Sequence, residues 1–183
     1  MTEVSSPAAL LGLFLASASP LSIGSAAPDF SVVPLQGSPF SFEEAARTRS
    51  AVVLVFMSVV CPYSNLGEEH LRELAARHGE QVLFVGVDSN RTETAEELAE
   101  HARKKGLTFP LMKDAGNKLA DLIGARVTPE AFVFDHDRIL RYRGRVRSKI
   151  GSTDLKDALE AVLAGRPVRT PVAKAFGCAI VRD

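Results

Sequence analysis

The feature that most constrains the fold is an alternation of buried-strand and amphipathic-helix patterns along the chain. The run AVVLVFMS (51–58) is continuously apolar, as in a strand covered on both faces, and QVLFVGV (81–87) repeats the pattern. Between them, NLGEEHLRELAARHG places Leu71 and Leu74 on one helical face and ends at Gly79. Strand, helix and strand in this order predict a βαβ unit with a parallel strand pair.

The second half of the chain adds a hairpin and a closing helix. SNRTETAEELAEHARKKG predicts a helix with Asn90 and Glu93 at capping-box spacing and Gly106 as its stop. AFVFDHDRILRYRG predicts a β-hairpin, and STDLKDALEAVLAG predicts a helix that ends at Gly165. The order βαβ then ββα indicates an α/β protein with a central mixed sheet flanked by helices, which is the order of elements in thioredoxin-like folds.

The length of 183 residues fits one compact domain between two extensions. We expect an N-terminal extension (1–20), a thioredoxin-like domain (21–165) and a C-terminal tail (166–183) that carries Cys178. The 22 basic residues cancel the 22 acidic ones, so the charge does not indicate a nucleic-acid or membrane partner. Two distant cysteines and four histidines without common ligand spacing predict no metal site and no disulfide scaffold.

The N-terminal segment SPAALLGLFLASASPLSIGSAA has the apolar length and small residues of a secretory signal. No Lys or Arg precedes it, and Glu3 makes its start acidic. The stretch is too short to span a bilayer and is read as a short helix folded onto the domain. The sequence favours a cytoplasmic protein, with export to the periplasm as the alternative.

Cys61 follows the first long strand and precedes the predicted helix, in SVVCPYSN (58–65). Unpaired N–H groups and the partial positive charge of a helix N-terminus stabilise a thiolate there, so its pKa should lie below roughly 8.5. Pro62 suits the first helical position, and the Ser64 hydroxyl is expected to donate to the sulfur. The alternative is a structural cysteine, because free cysteine often packs as a small buried hydrophobe.

Three segments together resemble the thioredoxin superfamily, in its redoxin and peroxiredoxin-like (AhpC/TSA-type) branch: GSAAPDFSVVPLQGSPFSF, VLVFMSVVCPYSN and TPEAFVFDHDRILRYRGRV. The resemblance covers roughly residues 21–165. It implies a cis Thr128–Pro129 bond beside the reactive cysteine, with the backbone of the residue before proline pairing with the substrate. It implies no organic cofactor.

The chain departs from the family pattern at two places. Thioredoxins have a second cysteine where this chain has Ser64, so CPYS resembles a monothiol site. Peroxiredoxins have P-x-x-x-[TS]-x-x-C, in which Ser58 matches the hydroxyl position and Leu54 replaces the proline. We therefore rank thiol–disulfide exchange above efficient peroxidase activity.

Cys178 lies in the tail RPVRTPVAKAFGCAIVRD, whose prolines and glycine predict an extended segment over the domain. From there it could resolve an oxidised Cys61 within one chain or across a homodimer. The alternative is a buried apolar residue that pins the tail.

The sequence thus predicts a thiol–disulfide oxidoreductase with Cys61 as nucleophile and Cys178 or an external thiol reductant as resolving group. Its substrates would carry a disulfide or a peroxide. The alternatives are a peroxiredoxin-like thiol peroxidase and a redox-silent thioredoxin-like binding module.

Overall fold

The computed structural model describes residues 20–147 and 153–182, so the predictions for the N-terminal extension and its signal-like segment lie almost wholly outside the described residues. Its strands are β1 (Ser31–Val32), β2 (Phe40–Ser41), β3 (Ala51–Met57), β4 (Val82–Asp88), β5 (Leu111–Lys113), β6 (Val127–Thr128), β7 (Glu130–Asp135), β8 (Leu140–Gly144), β9 (Val172–Ala173) and β10 (Cys178–Ala179). Its α-helices are α1 (Phe42–Thr48), α2 (Pro62–His78), α3 (Ala95–Lys105), α4 (Lys118–Ile123) and α5 (Asp154–Leu163). Within these ranges, no helix is long and apolar enough to cross a membrane.

The main sheet has six strands in the order β5-β4-β3-β7-β8-β9. Strands β3, β4 and β5 run parallel, whereas β7 is antiparallel to both β3 and β8. The predicted α/β class with a mixed central sheet is confirmed. β3 therefore lies inside the sheet with a partner on each side, which is why every one of its residues is buried.

Both faces of this sheet are covered by helices. Alternate residues of β3 point to opposite faces, so Leu54 packs with α1 and α4 while Val53 packs with α2, α3 and α5. Each face has its own apolar cluster. This layering brings the carboxyl ends of β3 and β4 to one edge of the molecule, close to the start of α2.

The predicted cap of the second long helix is wrong. Helix α3 begins at Ala95, and its capping box joins Thr94 to Glu97. Asn90 and Glu93 have the same sequence spacing, but their side chains bind other segments: Asn90 accepts a hydrogen bond from Val181, and Glu93 accepts two from the loop after β3. Spacing alone does not distinguish two overlapping capping patterns.

The C-terminal tail is extended and is held at two places. Strand β9 adds a parallel edge strand beside β8, and β10 pairs antiparallel with β6. After β10, Ile180 is buried in the core cluster on the α1 and α4 face. The tail thus crosses the domain from one edge of the main sheet to the neighbourhood of Thr128.

Candidate active site

Cys61 lies at the junction between β3 and α2 that the sequence predicts. It is the residue immediately before the helix, and Pro62 occupies the first turn, where its missing N–H leaves no hydrogen bond unmade. The side chain is almost completely covered, with 1% of its surface exposed. Its sulfur is the donor in a contact of 3.1 Å to the carbonyl oxygen of Thr128.

Hydrogen-bond donors converge on the Cys61 sulfur. Burial alone would raise the pKa of this thiol, but hydrogen bonds from the Cys178 side chain, from the amides of Ser64 and Cys178, and from the Thr128 side chain outweigh it. The net pKa of Cys61 is lowered. This direction agrees with the effect expected of a helix N-terminus on a thiolate.

Ser64 supports the sulfur through its backbone, which corrects the role predicted for its hydroxyl. The hydroxyl oxygen accepts a hydrogen bond of 3.2 Å from the Ser58 amide. The Ser64 N–H is the group of this residue that helps to lower the pKa of Cys61. The first amides of a helix have no partner inside the helix, so this one is available to an anion at the N-cap.

Ser58 links Cys61 to a buried carboxylate. Its hydroxyl oxygen accepts from the Cys61 amide at 3.1 Å, and its proton is donated to Glu93 at 2.6 Å. The second oxygen of Glu93 accepts from the Val59 amide at 2.5 Å. Glu93 therefore holds the loop that carries Cys61.

Glu93 is the site residue that the sequence reasoning missed, because it was assigned to a helix cap. A usable signal was present. Glu93 follows β4, the parallel neighbour of β3, and the carboxyl ends of parallel strands meet at one edge of a sheet. A carboxylate after β4 can therefore reach the loop after β3.

The Thr128–Pro129 bond is cis, as the family resemblance implies. Thr128 is fully buried and presents its carbonyl oxygen to Cys61. It also belongs to β6, whose partner is the tail strand β10. The segment that contains the cis bond therefore contacts the Cys61 sulfur on one side and pairs with the tail on the other.

Cys178 lies directly opposite Thr128 in the β10–β6 pairing. Its hydrogen bond to the Cys61 sulfur is the main reason that its pKa is raised to about 11, with burial, the charge of Cys61 and that of Glu93 adding to it. Both cysteines are free thiols, Cys61 buried and Cys178 exposed. The alternative in which Cys178 is the buried residue that pins the tail is wrong, because the neighbouring Ile180 is the residue buried there.

The fold thus brings all seven sequence-predicted site residues to one place: Ser58, Cys61, Pro62, Ser64, Thr128, Pro129 and Cys178. In the described part of the chain, no three His, Cys, Asp or Glu side chains are grouped so that they could hold a metal ion. The site combines two neighbouring thiols with the donors around Cys61.

A sequence model described as the AhpC/TSA family matches residues 23–143. The chain belongs to the AhpC/TSA family. A curated relative, the thiol-disulfide oxidoreductase ResA of Bacillus thuringiensis (strain Al Hakam), is 26% identical over 151 residues, which are 82% of each protein. The family and the fold predicted from the sequence are confirmed. The predicted oxidoreductase class agrees with the AhpC/TSA family and with the ResA relative.

Two solved structures share the fold over nearly their whole length. A hypothetical protein from Sinorhizobium meliloti 1021 has a TM-score of 0.80 and 30% identity, with 90% of this chain and 97% of that chain covered. An uncharacterized conserved protein from Geobacillus kaustophilus has a TM-score of 0.81 and 27% identity, with 89% and 93% covered. Both similarities extend beyond the segment that the family model matches.

Proposed function

We propose that this AhpC/TSA-family protein is a thiol–disulfide oxidoreductase whose nucleophile is Cys61. The observation that carries the proposal is the convergence of donors on a buried sulfur at the start of α2, which lowers the pKa of Cys61. A thiolate is the species that attacks disulfides. Ser58, Pro62 and Ser64 hold the loop and first helical turn in the conformation that provides those donors.

The reaction begins when the Cys61 thiolate attacks one sulfur of a substrate disulfide. A bond forms between Cys61 and that sulfur, the substrate disulfide breaks, and the second substrate sulfur leaves as a thiolate that takes up a proton. The Cys178 thiolate then attacks the Cys61 sulfur, and the remaining substrate sulfur leaves. Two electrons pass from the two cysteines to the substrate, and an external thiol or dithiol reductant restores them.

The acidity of the two thiols supports this order of steps. The pKa of Cys178 is raised mainly because its S–H donates to the Cys61 sulfur, and the charge of that sulfur adds to the effect. When Cys61 is part of a mixed disulfide, its sulfur has no negative charge. The two causes that depend on the Cys61 thiolate are then weakened, while burial and the charge of Glu93 still raise the Cys178 pKa, so Cys178 becomes easier to deprotonate at the stage when it has to attack.

A thiol peroxidase is the second candidate, favoured by the family itself. In that reaction the Cys61 thiolate would attack one peroxide oxygen, the O–O bond would break, Cys61 would become a sulfenic acid, and the other oxygen would leave as water or an alcohol after taking up a proton. The Ser58 hydroxyl, which matches the family's hydroxyl position, donates its proton to Glu93 and is therefore not free to donate to a peroxide. This contact adds to the departure at Leu54, for which the sequence already ranks disulfide exchange first.

The test compares turnover of a chromogenic small disulfide with turnover of hydrogen peroxide, each with a dithiol reductant. We expect the disulfide to be the better substrate, Cys61→Ser to abolish both activities, and Cys178→Ser to accumulate a mixed disulfide on Cys61 that mass spectrometry detects. Full activity in Cys61→Ser would end the proposal. Faster turnover of peroxide than of the disulfide would favour the second candidate.

A further inference from the structure

The tail strand β10 covers the backbone edge next to Cys61. Cys178 and Ala179 pair antiparallel with Thr128 and Val127, and the Ile180 amide extends the pairing to the Arg126 carbonyl at 3.0 Å. We call the backbone of residues 126–128 that carries these bonds the substrate edge, because the family resemblance implies that the substrate backbone pairs with the residue before the cis proline. In the reduced protein this edge is filled by the chain's own tail.

A strand edge offers one row of backbone donors and acceptors and can pair with one strand at a time on that side. Addition of an extended peptide to such an edge is a common mode of recognition. A polypeptide substrate and the tail therefore exclude each other at the substrate edge. Cys61 is only 1% exposed, and the side chain and amide of Cys178 act on its sulfur, so a substrate reaches that sulfur only after the tail has moved.

We propose that residues 176–181 are an internal substrate mimic, and that a protein substrate binds as an extended segment that replaces this strand. The inference rests on the proposed function and adds the substrate class. Cys178 lies opposite Thr128, in the position that the reactive cysteine of a substrate would take. The tail therefore shows which side chains the substrate edge accepts around that cysteine.

Two positions of the tail limit which residues a substrate segment can have there. A Cβ on Gly177 would lie 1.8 Å from the Thr128 carbonyl oxygen, so the backbone in this conformation accepts no side chain directly before the cysteine. Two residues after the cysteine, the Ile180 side chain is 5% exposed and packs in the core. The preferred substrate segment is thus glycine, cysteine, any residue and an aliphatic residue, in an extended conformation.

The other side chains of this strand make its displacement practicable. Phe176, Cys178, Ala179 and Val181 are exposed, so Ile180 is the main apolar side chain that has to leave the core. Beyond the replaced strand, the Arg182 side chain donates hydrogen bonds to the Asp121 carboxylate at 3.0 Å and to the Ala125 carbonyl at 2.6 Å, and these bonds can keep the end of the tail near the site. A substrate that supplies its own aliphatic residue replaces the one that the tail withdraws.

Strand replacement also couples resolution to product release. When the tail returns to the substrate edge, it pushes out the substrate backbone and places Cys178 opposite Thr128, beside the Cys61 sulfur. Its thiolate attacks that sulfur, the bond between Cys61 and the substrate breaks, and the substrate leaves as a thiolate. The same strand excludes the next substrate until the reductant has acted.

The test uses the full-length protein and a fluorescent peptide of residues 174–182 with Cys178→Ser, which binds without redox chemistry. In the protein, Gly177→Val should release the tail, because the added side chain meets the Thr128 carbonyl. Ala179→Val adds the same kind of bulk at an exposed position of the same strand and is the matched control. Circular dichroism confirms that each variant is folded.

We expect the peptide to bind the Gly177→Val protein about tenfold more tightly or better than it binds wild type or Ala179→Val, because the site is no longer occupied. Peptide-resolved mass spectrometry should show faster alkylation of Cys61 in Gly177→Val, and added peptide should slow it again. A second peptide that also carries Gly177→Val should not bind.

Equal peptide affinity and equal Cys61 alkylation in all three proteins would overturn the inference, as would equal binding of the two peptides. These readouts need no turnover. An inactive protein that still binds the peptide would therefore count against the proposed function alone, and an active protein that binds neither peptide would count against the inference alone.

Discussion

At the scale of single residues, the two contacting thiols should differ widely in acidity. We expect Cys61 to alkylate with a pH midpoint below roughly 8.5, because hydrogen bonds to its sulfur outweigh its burial. Cys178→Ala removes the strongest of those donors, so the Cys61 midpoint should rise. Mass spectrometry of iodoacetamide-treated protein across a pH series measures both. A Cys61 midpoint that is unchanged in the variant would show that Cys178 does not support the thiolate.

A second residue, Asp88, should make stability depend on pH. Burial, with the charge of Glu93 adding to it, raises the pKa of this fully buried carboxyl to about 6, although the Asn90 amide and Lys113 act in the opposite direction. Because this value exceeds the unfolded one of about 3.9, the folded state binds the proton more tightly. Ionisation of Asp88 therefore costs stability as the pH rises toward 6, and the cost persists above it.

Asp88→Asn removes that cost. Relative to wild type, the variant's free energy of unfolding should increase by about 1 to 3 kcal/mol from pH 4 to pH 8, so the variant gains stability as the pH rises. Urea unfolding at the two pH values gives the difference. Asp137→Asn, at an exposed hairpin position, controls for the loss of a surface carboxylate. A pH-independent difference for Asp88→Asn would contradict the prediction.

At the scale of elements, the loop between β3 and α2 is held by Glu93, which lies in the loop that precedes α3. Glu93→Ala would leave the Ser58 hydroxyl and the Val59 amide without their buried acceptor. We expect a loss of about 2 to 4 kcal/mol in the free energy of unfolding, together with slower disulfide turnover. Glu96→Ala, an exposed acid in the first turn of α3, should change stability little. Equal losses of stability for the two variants in denaturant unfolding would show that Glu93 does not hold this loop.

At the scale of the whole molecule, oxidation should join the tail to the active site. A Cys61–Cys178 disulfide closes a loop of over a hundred residues, worth on the order of 4 to 5 kcal/mol in the chain-entropy model. We expect one equivalent of peroxide to raise the melting temperature of wild type but not of Cys178→Ser. Calorimetry measures the shift, and mass spectrometry of a non-reducing digest identifies the linked peptides.

The outcome also separates three arrangements of the molecule. A linked pair within one chain supports resolution by the tail, and a covalent dimer assigns it to a neighbouring subunit. Two free thiols, or an over-oxidised Cys61 beside an unmodified Cys178, would remove Cys178 from the reaction and leave an external thiol as the resolving group.

The elements with a strong local pattern could be predicted from the sequence alone. Three elements show such a pattern: the continuous apolar run of β3, the apolar face of α2 and the hairpin of β7 and β8. The spacing of apolar residues along one segment indicates which of its side chains are buried. The junction at Cys61 and Pro62 follows from the same patterns, since it is simply where one ends and the next begins. That is why the nucleophile and the fold class could be predicted without coordinates.

The hydrogen-bond partners of the polar groups in the site could not be predicted from the sequence, because they depend on the packing of distant segments. Glu93 has the spacing of a helix cap but binds a loop 35 residues away, and the Ser64 hydroxyl turns to Ser58 instead of to the sulfur. Strand β10 is two residues long, too short for any periodic pattern, and it pairs with a segment 50 residues away. Sequence patterns indicate that a residue is buried or extended, but the partner of a hydrogen bond depends on which distant segments the packed sheet brings together.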